Sequence, residues 1–155
     1  MLAGEWPGRN GGCGDRGVVK IFRWPVRVYY EDTDSGGVVY YANYLKFMER
    51  ARTEWLRSLG FEQDRLAETA GVIFAVRSAN LEFISPARFN DSLEVSAQLM
   101  QRRRASLTFE QGVYHAGQPG QLLCSGVVRV ACLSVDHFKP QAIPDFVVKE
   151  IVDVD

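Results

Sequence analysis

A change of hydrophobic period after Gly71 is the feature that most restricts how this chain can fold. Before it, apolar side chains recur every three or four residues, at Tyr44, Met48, Ala51, Trp55 and Leu59. After it, apolar and polar residues alternate through runs such as 93–99 and 107–113. The first spacing is typical of one amphipathic helix, and the second is typical of half-buried strands.

Four strands are predicted after Gly71, over residues 78–83, 93–100, 107–114 and 122–133. The breaks between the strands include Ser85-Pro86, Gln101–Arg104 and Gly117–Gly120. Such short breaks favour antiparallel hairpins, because parallel strands need a long crossover. The run 122–133 is apolar on both faces, which is typical of a strand inside the sheet.

One strand and one long helix precede this group. Residues 26–30 alternate as a strand, and the long helix follows, with Asn43 predicted as its cap and Gly60 beyond its end. Weaker patterns predict helices over 62–69 and after Pro144. One long helix with one apolar stripe needs one sheet to lie on. The sequence therefore predicts an α+β fold, with a curved antiparallel sheet wrapped around the long helix.

The chain has 155 residues, which is the size of one domain. Its first 17 residues are crowded with glycine and carry no apolar repeat, so we expect a flexible leader over 1–17 and a single domain over 18–155. The net charge of −1 argues against nucleic-acid binding. No apolar run approaches the roughly 20 residues that span a bilayer, so no transmembrane segment is expected.

The sparse cysteines and histidines restrict the chemistry further. Three cysteines form no C-x-x-C pair, which favours a reducing compartment, here the cytoplasm. The two histidines, His115 and His137, have no ligand partner at close spacing, so neither a metal nor another cofactor is expected.

An acidic loop between the first strand and the long helix is the strongest candidate site. It carries Glu31, Asp32 and Asp34 beside two glycines. A helix N-terminus offers unpaired N–H groups that can hold a developing oxyanion. A carboxylate facing it could attack a carbonyl or deprotonate a water molecule. On the residues alone, a solvated turn or a D-x-D cation site remains an alternative, although no further oxygen ligands lie nearby.

Two other motifs need interpretation. The run Asp34-Ser35-Gly36-Gly37 matches part of a serine-protease signature, but no histidine precedes Ser35 and the preceding residue is Thr33 rather than Gly. The run Arg102–Arg104, at a predicted hairpin, suits phosphate groups, but the residues alone favour an exposed turn.

The segment 26–59 carries a family resemblance. It runs VRVYYEDTDSGGVVYYANYLKFMERARTEWLRSL, and its D-x-D-x-x-G-x-V-Y motif followed by E-R-A-R-T-E-W is specific. It resembles the hotdog-fold acyl-CoA thioesterases of the 4-hydroxybenzoyl-CoA thioesterase family, over about residues 24–140. It is most similar to the YbgC-like branch, which is associated with the Tol–Pal envelope system.

The resemblance implies a hotdog fold, a long helix wrapped by a five-stranded antiparallel sheet. It also implies a homodimer or homotetramer with active sites at the subunit interface. Asp34 takes the position of the essential carboxylate, either nucleophile or general base, and the backbone N–H of Tyr41 takes that of the oxyanion donor. The YbgC-like branch commonly has His there and the hydroxybenzoyl-CoA enzymes have Tyr, so only the backbone role carries over to Tyr41 unchanged.

The resemblance also implies a substrate-binding set. Gly37 and Val38 would shape the pocket, while Arg103, Arg104 and Ser106 of a neighbouring subunit would meet the phosphates of coenzyme A. We expect aromatic side chains such as Tyr40, Tyr44 and Phe47 to line the acyl pocket.

The expected function is hydrolysis of an acyl-CoA thioester to a free acid and coenzyme A. The alternative is a non-catalytic module that binds acyl-CoA or an acyl carrier protein. Asp34 favours the enzyme, because a binding module needs no carboxylate beside the thioester. A hotdog dehydratase is disfavoured, because it would use a histidine base and none lies near the helix start.

Overall fold

Five antiparallel strands and three helices make up residues 21–151, the part of the chain that the computed structural model describes. The predicted leader, 1–17, lies outside this range, so the proposed division into leader and domain stays a prediction. The strands are β1 (Phe22–Arg27), β2 (Val72–Phe83), β3 (Ser92–Arg103), β4 (Ser106–His115) and β5 (Gln118–Ser134). The helices are α1 (Asn43–Ser58), α2 (Gln63–Ala70) and α3 (Asp145–Val148).

The strands form one sheet in the order β1-β3-β4-β5-β2. Every neighbouring pair is antiparallel, as the short connections predicted. The strand that is apolar on both faces, β5, lies inside the sheet between β4 and β2. β1 and β2 form the two edges, because the chain enters α1 after β1 and returns to the opposite edge.

Helix α1 packs on the sheet through β1, β3 and β4. Its residues Phe47, Met48 and Ala51 are completely buried and join one core with strand residues such as Leu93 and Val113. Burying a large apolar side chain stabilises the fold by about 1.5–3 kcal/mol. The helical stripe and the strand alternation are therefore two sides of one core, which confirms the α+β prediction.

The predicted helix cap is wrong. The residue before the helix is Ala42, which makes no side-chain capping bond, and Asn43 is the first helical residue. Its side chain is buried and donates from Nδ2 to Asp32 Oδ1 at 2.8 Å. This contact joins Asn43 to a residue 11 positions earlier in the chain, which local spacing does not reveal.

Two further details differ from the sequence pattern. β1 ends at Arg27, and the expected end of the strand becomes a 3₁₀ turn, Tyr30–Asp32. Arg52 lies outside the apolar stripe of α1, yet it is half-buried and donates to Gln111 Oε1 at 2.9 Å. Burial lowers the pKa of Arg52 to about 10. Gln111 also donates to the Met48 carbonyl, so this polar contact fastens α1 to β4.

The sheet has two ends that matter for function. One end holds the exit of β1, the start of β3 and the finish of β2 at Phe83; the other holds the β3–β4 hairpin after Arg103. β3 has 12 residues, so at about 3.3 Å per residue the path along the strand from one end to the other is about 35 Å. Within residues 21–151, no helix is long and apolar enough to cross a membrane.

Candidate active site

The acidic loop folds into a small hairpin between β1 and α1. The Asp34 N–H donates to the Val38 carbonyl at 2.9 Å, and the Gly37 N–H donates to the Asp34 carbonyl at 3.0 Å. Gly37 has φ +83°, a conformation that glycine adopts without the clash that a Cβ causes. The glycine-rich sequence therefore specifies the turn that displays Asp34, and Val38 continues it through a bridge to Arg88.

The Asp34 carboxylate is exposed and oriented. Its Oδ1 accepts the Gly36 N–H at 2.8 Å. A Cβ at Gly36 would lie 3.3 Å from this oxygen, so the glycine allows the close approach. No other hydrogen bond among the described residues uses this carboxylate, which leaves Oδ2 available to a reactant.

Tyr41 lies at the mouth of α1. The hairpin pairs the Tyr40 N–H with the Asp32 carbonyl at 2.9 Å, and the three residues from Val38 to Tyr41 span at most about 10 Å. None of the backbone hydrogen bonds within residues 21–151 uses the Tyr41 N–H. The Tyr41 N–H is therefore without a backbone partner, three residues beyond the Val38 carbonyl that pairs with Asp34.

The side chain of Tyr41 is 61% exposed. Its ring lies 4.8 Å from the ring of Tyr40 and 6.0 Å from that of Phe83, measured between centroids. A hydrogen bond with Tyr41 raises the pKa of Tyr40. The Tyr40 hydroxyl therefore stays protonated at neutral pH and does not serve as a base.

The aromatic residues expected to line a pocket divide into two groups. Tyr44 and Phe47 are buried in the core, and the Tyr44 hydroxyl accepts the Ala87 N–H at 3.1 Å. Tyr40 is exposed. The residue that sequence reasoning missed is Phe83, half exposed at the end of β2, whose ring approaches both Tyr41 and Tyr44. Alternation marks Phe83 as a strand residue but does not reveal which element its end meets.

Asp32 is also missing from the predicted site. It is 3% exposed, whereas Glu31 and Asp34 on either side of it are exposed. Three acidic residues in four positions carry no sequence signal that separates the buried one from the others. The D-x-D spacing alone would have treated Asp32 and Asp34 as equivalent ligands. Within residues 21–151, no group of three or more His, Cys, Asp or Glu side chains could hold a metal ion.

The arginine cluster lies at the other end of the sheet. Arg103 and Arg104 are exposed at the β3–β4 hairpin, while Ser106 is buried and pairs with Arg103. The Arg104 carbonyl accepts the Ile143 N–H at 2.9 Å, which ties the hairpin to the C-terminal segment. The structure brings Asp34, Gly37 and Val38 together in the hairpin, with Tyr41 three residues further along the chain. It does not bring the arginines to them within one chain.

Comparison with known proteins places this chain in a family. Residues 36–121 match the model of the thioesterase superfamily. The chain belongs to the thioesterase superfamily.

Two curated relatives and one solved structure are particularly similar. The acyl-CoA thioester hydrolase YbgC of Escherichia coli O6:H1 is 46% identical over 130 residues, which is 84% of this chain and 95% of that protein. The acyl-CoA thioesterase YbgC of Haemophilus influenzae is 42% identical over 79% of this chain and 88% of that protein. A probable thioesterase of Bartonella henselae is 33% identical and superposes with a TM-score of 0.75, covering 81% of this chain and 100% of that one.

These comparisons confirm three predictions made from the sequence. The family resemblance is correct, the fold is the hotdog fold, and the class of function is thioester hydrolysis. The roles of the individual site residues stay predictions.

Proposed function

We propose that this protein hydrolyses acyl-CoA thioesters to a free acid and coenzyme A, with Asp34 as the catalytic carboxylate. The observation that carries the proposal is the exposed Asp34 side chain, oriented by Gly36 and held in a hairpin that leads into the segment with the unused Tyr41 N–H. The activity named for the relatives in Escherichia coli and Haemophilus influenzae supports acyl-CoA as the substrate.

Asp34 can act in either of two ways. As a nucleophile, its free oxygen attacks the thioester carbonyl, the C–S bond breaks, the thiolate leaves, and water then hydrolyses the mixed anhydride. As a general base, it accepts a proton from the water that attacks the carbonyl. In both routes the Tyr41 N–H stabilises the negative oxygen. Detection of an acyl group on Asp34 by mass spectrometry after rapid quenching would identify the nucleophilic route.

A second copy of the chain is the natural neighbour of this site. β2 is an edge strand of 12 residues, and its residues 76–80 are exposed. Unpaired backbone groups on such an edge are satisfied by a strand from another chain. The edge ends at Phe83, beside Tyr41, so a partner strand along β2 would border the site. Sedimentation equilibrium should give at least twice the chain mass of 17.4 kDa.

We assign coenzyme A phosphate binding to Arg103 and Arg104 of a neighbouring subunit in such a homodimer or homotetramer, with Ser106 beneath them. Exposed guanidinium groups suit phosphate oxygens, because each can bind in a forked geometry. Gly37 and Val38 shape the thioester end of the pocket in the same proposal.

We further propose that the protein acts in the cytoplasm, on acyl-CoA and on acyl groups that an acyl carrier protein bears as thioesters. Cys124 and Cys132 are free and buried, an arrangement that suits a reducing compartment. An acyl carrier protein presents the same thioester chemistry on a protein carrier.

The test is thiol release from a panel of short-chain, long-chain and aromatic acyl-CoA substrates, together with an acyl carrier protein loaded with the same acyl groups. Turnover with at least one acyl-CoA is expected. Isothermal titration with the same compounds measures binding independently. Tight binding without release from any thioester would overturn the hydrolase and support the binding module.

A further inference from the structure

Asp32 is a buried carboxylate without a cation. It is 3% exposed, and none of the ion pairs within residues 21–151 includes it. An isolated charge in such a place destabilises the fold by several kcal/mol unless hydrogen bonds compensate for the lost water. The hydrogen bonds that compensate for the burial of Asp32 therefore identify the parts of the fold that hold its carboxylate.

Both carboxylate oxygens of Asp32 are used, each by a different part of the chain. Oδ2 accepts the Tyr29 N–H at 2.8 Å, where β1 leads into the 3₁₀ turn. Oδ1 accepts from Asn43 Nδ2 at 2.8 Å, in the first residue of α1. The backbone carbonyl of Asp32 accepts the Tyr40 N–H at 2.9 Å, across the hairpin. Asp32 thus joins the exit of β1, the hairpin and the start of α1.

The two groups proposed for the chemistry lie on either side of this junction. Asp34 is two residues beyond Asp32, and Tyr41 is two residues before Asn43. A change in the Asp32–Asn43 contact therefore moves the carboxylate relative to the oxyanion donor. Misplacing reacting groups by about 1 Å can cost a factor of about 100 in rate.

We propose that Asp32 and Asn43 are positioning residues for the thioester hydrolysis, fixing the distance between Asp34 and the Tyr41 N–H. The inference rests on the proposed role of Asp34 and deepens it. Neither residue touches the substrate. The contact sets the geometry of the reacting groups, so its loss lowers kcat and leaves KM nearly unchanged.

The test is a suppressor experiment on the full chain. In Asn43→Asp two buried carboxylates face each other, which forces them apart or forces one to take up a proton. We expect kcat to fall by about 10- to 100-fold in this variant, with KM within about threefold. Adding Asp32→Asn restores both hydrogen bonds: the new amide accepts the Tyr29 N–H with its oxygen and donates to the carboxylate at position 43. The double variant should recover kcat to within about threefold of the wild type.

Glu31→Gln is the matched control, since it removes a neighbouring carboxylate that is exposed, and kcat should not change. Asn43→Ala removes the donor without adding charge and should lower kcat about tenfold. It replaces Asn43→Asp if that variant does not fold. Folding is checked by circular dichroism, and kcat is normalised to folded protein.

The outcomes separate the two proposals. Full turnover in Asp34→Asn removes Asp34 from the proposed mechanism, and the positioning role of Asp32 and Asn43 falls with it. An inactive Asp34→Asn variant, together with folded Asn43→Asp and Asn43→Ala variants whose kcat is within threefold of the wild type, overturns the positioning role alone. Failure of Asp32→Asn to suppress the defect of a folded Asn43→Asp variant also overturns it, because restored hydrogen bonds would then not restore the geometry.

Discussion

The two ends of the sheet carry the two kinds of polar residue that the sequence singled out, and the structure treats them differently. At the Asp34 end, the hairpin is fixed to the fold through buried Asp32 and Asn43. At the other end, the side chains of Arg103 and Arg104 are exposed on a turn that is held through a backbone hydrogen bond to Ile143. Chemistry that depends on the distance between reacting groups needs a hairpin fixed by buried contacts. Binding of a flexible phosphate is compatible with exposed side chains.

Substitutions at the two ends of the sheet should change different kinetic constants. Changes at the Asp34 end should act on kcat, because they alter the reacting groups or their spacing. Changes at the arginine end should act on KM, because they alter contacts made equally by substrate and transition state.

The largest effect is expected for Asp34→Asn. The substitution keeps the shape of the side chain but removes the nucleophile or base, so kcat should fall by about 100-fold or more, equivalent to about 2.7 kcal/mol of transition-state stabilisation. Steady-state thiol release measures kcat, and titration with a non-hydrolysable thioether analogue measures binding. Unchanged turnover would remove Asp34 from the mechanism, and the Asp34 end would then no longer be the end that carries the reacting carboxylate.

The double variant Arg103→Ala/Arg104→Ala should raise KM about tenfold, with kcat within about threefold, if these guanidinium groups meet phosphates. The effect should shrink at high salt, because added ions screen exposed charges. Arg65→Ala is the control, since Arg65 is an exposed arginine of α2. An identical KM in the double variant and the control would assign the arginine end no part in binding.

One buried thiol lies near each end of the sheet. Cys124 pairs with Phe83 near the Asp34 end, and Cys132 donates its N–H to Ala105 in the arginine hairpin. Burial raises the pKa of Cys124 to about 12 and that of Cys132 to about 11. Native alkylation at pH 9 should therefore be slow at both thiols, because the thiolate is the reactive form and burial disfavours it. Peptide mass spectrometry measures each rate, and modification of either thiol as fast as in the urea-unfolded chain would contradict the expected protection.

The same shifts affect stability with a definite sign. An exposed thiol ionises near pH 9, so above that pH the unfolded chain loses protons that the folded chain retains. The free energy of unfolding should therefore fall as pH rises from about 9 towards 11, by about 1 kcal/mol per thiol at pH 10. Urea denaturation at pH 8 and pH 10 measures the loss, and Cys124→Ala should show a smaller loss between the two pH values than the wild type.

The smallest effect is expected for Tyr41→Phe and Tyr41→His. Both keep the backbone N–H that the proposed mechanism uses, so kcat should stay within about threefold of the wild type. The exposed ring contacts Tyr40 and Phe83, and the hydrogen bond between the Tyr41 and Tyr40 side chains takes no part in the proposed chemistry. A loss of tenfold or more in Tyr41→Phe would give the hydroxyl a role and require a revised mechanism.

Sequence reasoning succeeded where one local pattern has one structural solution. The Tyr44–Leu59 stripe predicted a helix that the structure has at Asn43–Ser58, and Gly37 predicted a turn that the structure has at φ +83°. It failed where a contact with another segment decides how a side chain is used. Asn43 is a good capping residue in isolation, but its amide donates to the buried carboxylate of Asp32.

By itself, the sequence determined the kinds of element, the antiparallel orientation of the strands and the chemistry available in the acidic loop, and its D-x-D-x-x-G-x-V-Y motif indicated the family. Periodicity and turn residues act over a few positions, and that is sufficient to specify the elements. Only the tertiary structure decided which of three neighbouring carboxylates is buried, that Phe83 meets Tyr41, and that the arginines lie at the far end of the sheet. Burial depends on which segments pack together, and residues far apart in the chain determine it jointly.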